Sequence, residues 1–126
     1  MTFISRVHQS YIIASGKTLK QDVKLKDGRT YSKGSPIEVK FFGNKDNGHK
    51  ICEINVLDST DMSTTTFKIS ISKLPQIASG FTKPSLQTLE KWNDEGYAKT
   101  PTGKKVEPDG YADDGSPSWL LALGYI

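Results

Sequence analysis

Ile37-Glu38-Val39-Lys40-Phe41-Phe42 alternates apolar and polar side chains with a period of two, the pattern of a strand with one face on a core. Ile37, Val39 and Phe41 claim that face, and Glu38, Lys40 and Phe42 fall on the other. An outward Phe42 beside an outward Lys40 is hard to justify by packing alone.

The same period recurs on both sides of this stretch. Towards the C-terminus, residues 43–48 are a loop by composition, and residues 50–57 and 64–72 are two more strands joined by polar residues 58–63. In the second of these Phe67, Ile69 and Ile71 face the core, while Thr66, Lys68, Ser70 and Ser72 face out. Towards the N-terminus, residues 18–26 place Leu19, Val23 and Leu25 inward and Lys20, Asp22, Lys24 and Lys26 outward on one strand. Asp27-Gly28 is a hairpin turn, residues 29–32 are the return strand, and residues 3–14 are a first strand closed by Ser15-Gly16.

The pattern changes at Lys73. Ser85 reads as the cap of a helix over residues 85–95, with Leu86, Leu89 and Trp92 at helical spacing and Gly96 ending it. Residues 100–118 are rich in Gly, Pro and Asp and read as an extended, turn-rich segment. Ser116, Pro117 and Gly124 then frame a short apolar turn as its cap, first residue and stop. The expected fold is mostly β (α+β): a twisted antiparallel sheet of roughly five to six strands, as a meander or a small barrel. A C-terminal helix and a short apolar C-terminal turn pack over it. One domain spans residues 1–126, with a basic sheet part at 1–72 and a helical, turn-rich part at 73–126.

Composition limits the chemistry. With 35% hydrophobic and 10% aromatic residues the core must be thin. Cys52 is the only cysteine, so neither an intrachain disulfide nor a cysteine metal cluster can form, and it reads as a small buried hydrophobe. Arg6 and His8 interrupt the apolar residues of the N-terminus, so no signal peptide is expected, and no apolar run is long enough for a membrane. A cytoplasmic protein with no membrane partner is the expectation. His8 and His49 are the only histidines, and no nucleophile elbow, phosphate loop or metalloprotease motif is present. No catalytic residue, metal site or cofactor is therefore predicted. Asp109, Asp113 and Asp114 among Gly110 and Gly115 lack the ligand spacing and closing glutamate of a calcium loop, and turn chemistry explains them better.

Charge is uneven. Residues 1–50 hold ten Lys and Arg against four acids, whereas residues 51–126 hold seven Lys against ten acids. This asymmetry fits either a basic working surface or a solvated sheet face that uses lysine to protect its edges. Single-strand binders combine a positive groove with flat side chains on which bases stack. Lys20, Lys24, Lys26, Arg29, Lys33 and Lys40 supply the first, and Tyr31 and Phe42 the second, with Tyr11 and Phe81 as further stacking surfaces. These residues are the predicted single-stranded nucleic-acid site. The tail Trp119-Leu120-Leu121-Ala122-Leu123 with Tyr125 and Ile126 is too apolar to stand free in water. It docks on its own domain, on a second subunit through Trp119, Leu120 and Leu123, or on a partner protein.

Residues 92–96 (WNDEG), 100–103 (TPTG), 106–110 (VEPDG) and 115–120 (GSPSWL) resemble the single-stranded DNA-binding RNA polymerase cofactors (Drc-type) of short-tailed lytic bacteriophages. The resemblance implies a non-catalytic protein, with a fold unlike the usual OB-fold, in the host cytoplasm. Such a protein binds unwound promoter DNA and recruits a phage RNA polymerase. An adaptor or inhibitor of a host enzyme, working through an apolar or aromatic patch, is the alternative, and a phage structural component the third reading.

Overall fold

Strands β1 (Ile13–Thr18), β2 (Val23–Lys24), β3 (Thr30–Tyr31), β4 (Pro36–Phe41), β5 (Ile51–Leu57) and β6 (Thr64–Ser70) follow one another along the chain. The computed structural model describes residues 13–46, 49–57 and 64–126. The strand expected at 3–14, with Tyr11, lies almost wholly outside the described residues, as do the polar connection at 58–63 and part of the loop at 43–48.

The alternation at residues 37–42 decides the sheet. β1, β4, β5 and β6 pair antiparallel in the order β1-β4-β5-β6. Val39 lies opposite Ile54, which lies opposite Phe67, and Phe41, Cys52 and Ile69 form the next row. Val39, Phe41, Cys52 and Ile54 have no exposed surface, so these rows are the floor of the core. Burial pushes the Cys52 thiol up to about 12. The other face carries the rows Glu38, Asn55, Thr66 and Lys40, Glu53, Lys68, and Asn55 Nδ2 donates to Glu38 Oε1 at 3.2 Å.

Residues 71–126 cover the core face. β6 stops at Ser70, sooner than expected, and Ile71–Lys73 coil into a 3-10 turn that leads into α1 (Leu74–Ile77). Helix α2 (Leu86–Glu95) starts and stops where the sequence indicates: Ser85 Oγ accepts from the Thr88 N–H at 3.2 Å, and Gly96 closes it at φ 79°. Its Leu89 is buried and Trp92 half-buried, but Leu86 remains 54% exposed. A hairpin of β7 (Ala98–Lys99) and β8 (Lys105–Val106) follows, its second strand inside the stretch read as extended and turn-rich. The last helix, α3 (Trp119–Ala122), is capped by Ser118 and not by Ser116. Ser118 Oγ accepts from the Leu121 N–H at 3.1 Å and donates to the Pro108 carbonyl at 2.5 Å, which ties the helix start to the preceding loop.

One buried cluster runs from Leu19 to Ala122 and draws on both parts of the chain. Trp119 and Leu120 keep only 3% and 2% of their surface, so the tail docks on its own domain. Their use in a subunit interface is thereby corrected: burial in their own core leaves only half-buried Leu123 near the surface. Among the described residues no helix is long and apolar enough to cross a membrane.

Candidate functional site

The strand expected over residues 18–26 is broken. Leu19 forms a lone bridge to Ala78, and the chain turns through Lys20, Gln21 and Asp22 before the two-residue β2. Leu19 and Val23 are both buried, so the inward parity survives although the strand does not. Lys20 is separated from Lys24 and Lys26, and its Nζ donates to the Pro75 carbonyl at 2.8 Å. Asp22, expected on the same outward face as the lysines, accepts from the Lys33 backbone N–H at 2.8 Å.

The β2–β3 hairpin gathers Lys24, Lys26, Arg29 and Lys33, all exposed. Its loop is Lys26-Asp27-Gly28: the Gly28 N–H reaches the Leu25 carbonyl at 3.0 Å and the Leu25 N–H reaches Arg29 at 2.8 Å. Arg29 is engaged locally, its Nε 2.6 Å from Asp27 Oδ2. The Arg29 backbone N–H chiefly holds the Asp27 carboxyl below its ordinary value; desolvation opposes it, and the Arg29 guanidinium adds a smaller pull in the same direction. Tyr31 stacks on Phe67 with ring centroids 6.2 Å apart and planes 9° apart. Phe67 belongs to the core row, so Tyr31 packs inward against the core.

Lys40 and Phe42 lie on the opposite face of the sheet, where Lys68 Nζ sits 5.5 Å from the centre of the Phe42 ring. The basic and aromatic residues singled out in the sequence therefore do not make one groove. Strand parity divides them: Tyr31 is on the core side, Phe42 on the outer side, and the sheet lies between.

What the structure does assemble is a cleft of about 570 Å³ that no local pattern announces. It is lined by Lys17, Phe81, Trp92, Lys99, Trp119 and Asp114, with Thr82 and the turn at residues 100–103 completing the wall. Lys17 arrives there through a β-bulge. Between Ala14 and Lys17 the register of β1 slips by one residue against β4, with Gly16 at φ 79°. The extra residue sets Lys17 opposite Ile37, on the core side, with its Nζ 5.3 Å from the centre of the buried Phe81 ring. Gly80 leaves room for it, since a Cβ there would sit 2.6 Å from that Nζ.

Lys99 comes from the other half of the chain, on β7 opposite Lys105, whose Nζ lies 4.6 Å from the Tyr97 ring centre. Among the described residues neither Lys17 nor Lys99 has a carboxylate within ion-pairing distance. Phe81 and Trp119 are buried, Trp92 and Lys17 half-buried and Lys99 exposed, so the rings form the depth of the cleft and the ammonium groups its mouth.

The wall is held by hydroxyls. Thr102 Oγ1 donates to Asp114 Oδ2 at 2.5 Å, and Ser116 gives both its N–H, at 3.0 Å, and its Oγ to Asp114 Oδ1. Because Thr102 has one hydrogen, Thr100 must be the donor in the 3.0 Å Thr100–Thr102 pair, and Thr100 Oγ1 in turn accepts from the Lys104 N–H at 3.3 Å. Asp114 thus joins two loops, and the reading of these Asp residues as turn chemistry fits it. Gly115 lets the second loop press against β4: its φ is 81°, and a Cβ there would meet the Phe41 carbonyl oxygen at 2.9 Å. No protein-family model, characterised protein or solved structure matches the chain.

Proposed function

We propose that the protein binds single-stranded nucleic acid without reading its sequence. The observation that carries this reading is the cleft: two lysines from distant parts of the chain, without carboxylate partners among the described residues, stand at the mouth of a pocket walled by Phe81, Trp92 and Trp119. Phosphates meet cations there and a base meets the half-buried Trp92 ring, the two contacts that single-strand recognition requires. Lys24, Lys26 and Lys33 on the β2–β3 hairpin extend the positive surface as phosphate contacts only, since Tyr31 is engaged with Phe67. In the finer form of the reading the strand is unwound promoter DNA and a phage RNA polymerase is the partner. That form is supported by the C-terminal resemblance, whose residues Trp92, 100–103 and Trp119 are part of the cleft wall.

A gel shift with single-stranded DNA, duplex DNA and RNA at two salt concentrations tests the proposal. Single strands should bind more tightly than duplex, with a log–log salt slope of about −0.7 per phosphate neutralised. Replacing Lys17 and Lys99 by Ala, or Lys24 and Lys26 by Ala, should each flatten the slope by roughly 1.4. If no oligonucleotide shifts at low salt, the proposal falls and the adaptor reading takes its place. That second reading has its own observation: Leu86, Tyr125 and Ile126 are 54%, 54% and 49% exposed around one shallow apolar hollow.

A further inference from the structure

We infer that the cleft is a pocket for a single nucleoside monophosphate unit, whether free or part of a strand. The inference deepens the nucleic-acid reading and rests on it. Three features converge on this ligand. The volume, about 570 Å³, lies inside the roughly 300–1,000 Å³ range of small-molecule sites. The mouth holds two ammonium groups: Lys17, kept in place over the Phe81 ring, and Lys99, on a short hairpin. None of the protein's described carboxylates pairs with either, so both are open to an anion. Deeper in, half-buried Trp92 offers a face suited to a flat ring, and Phe81 and Trp119, which keep 4% and 3% of their surface, make the apolar floor behind it.

The remaining wall is a row of acceptors. The Thr100 and Thr102 hydroxyl hydrogens are already directed along the chain that ends on Asp114. That stretch of wall therefore presents oxygen lone pairs, which suit the N–H groups of a base edge, while Thr82 lines the cleft with a hydroxyl that can also donate. Phosphate at the mouth, ring against the Trp92 face and amino edge against the oxygens is the order of parts in one nucleotide. A bare phosphate would leave the Trp92 face uncovered, and a bare nucleoside would leave the lysines unanswered.

Both tryptophans of the chain line this cleft, so intrinsic fluorescence reports its occupancy directly. The full-length protein is titrated with dAMP, deoxyadenosine and inorganic phosphate, with free tryptophan as the control for nucleotide absorption. Saturable quenching by dAMP is expected, with deoxyadenosine binding about tenfold or more weakly for want of charge-assisted contacts and phosphate alone giving no quenching. Lys17→Ala with Lys99→Ala should bring dAMP down to the level of deoxyadenosine. Lys99→Glu, at an exposed position, should do much of the same with no risk to the fold. Absence of quenching by dAMP at millimolar concentration, or unchanged dAMP affinity in both variants, overturns the inference. If strands shift in gels while dAMP does not quench, strand binding stands and the pocket assignment fails. If dAMP quenches while no strand binds, the pocket stands as a site for free nucleotide and the strand-binding function fails.

Discussion

The β2–β3 hairpin and the cleft are both basic and both aromatic, yet they use the combination in opposite ways. In the hairpin the cations are sequence neighbours of the ring: Arg29 and Lys33 flank Tyr31, but the ring has turned to Phe67. In the cleft the cations are far from the rings in sequence, Lys17 from Phe81 and Lys99 from Trp119, and only the fold brings them together. Residues two apart on a strand share a parity, yet Arg29 and Lys33 stay in solvent while the Tyr31 ring turns to Phe67, so common parity alone builds no groove. A working surface needs side chains that converge, and convergence is a tertiary property.

The largest test breaks the cleft's wall. Asp114→Ala removes the acceptor for Thr102 Oγ1, Ser116 Oγ and the Ser116 N–H, leaving buried donors unpaired. Unpaired buried groups cost about 1–3 kcal/mol each, so a loss of roughly 3 kcal/mol, on the order of 10 °C in melting temperature, is expected. Calorimetry checks this. An unchanged melting temperature would mean that the two loops are not held through Asp114.

Next in size is the hairpin's ring. Tyr31→Ala strips one face of Phe67 and should lower stability by about 2 kcal/mol, less than the removal of a fully buried ring. Tyr31→Phe should be nearly neutral, since the hydroxyl meets only the exposed Arg29 Nη1 at 3.5 Å. If Tyr31→Ala melts like the native protein and instead weakens strand binding, Tyr31 is a stacking platform and the comparison between the two regions fails.

The smallest effect is in the hairpin's loop. The Asp27 carboxyl is held below its ordinary value of 3.8, chiefly by the Arg29 backbone N–H. A group with a depressed value in the folded state stabilises above its unfolded value, and that contribution disappears as pH falls through the folded one. Asp27→Asn should therefore melt slightly below the native protein near neutrality and level with it in strong acid. Thermal melts across that range check the sign.

Much of this fold is legible in the sequence because short-range chemistry decides it. The period of two at residues 37–42 and 50–57 sets which side chains fill the core, and Ser85 and Gly96 bracket α2 through hydrogen bonding and positive φ. Legibility fails where one residue admits two uses. Gly16 reads as the end of a strand but is a bulge within one, so the parity of Lys17 is lost. Leu19 and Val23 keep in phase across a break, so a continuous strand seemed to join Lys20 to Lys24. Ser116 and Ser118 both suit a helix cap, and Asp114 settles the matter by engaging the first. The cleft leaves no local trace at all, since its lining comes from residues between 17 and 119.

The bulge at Ser15-Gly16 has a meaning beyond geometry, because it works as a counter. A strand delivers its side chains to alternate sides, and one supernumerary residue resets the count. Removing either Ser15 or Gly16 would leave net charge untouched, as both are uncharged. One residue would then stand opposite Glu38 in a regular ladder, with Ala14 still opposite Val39 and Lys17 still opposite Ile37, so both segments would keep their present faces. Straightening the strand at full length would instead set Lys17 opposite Pro36, away from the cleft on the far side of the sheet. The bulge is thus an address for charge: it lets the strand carry one extra residue and still deliver Lys17 to the cleft.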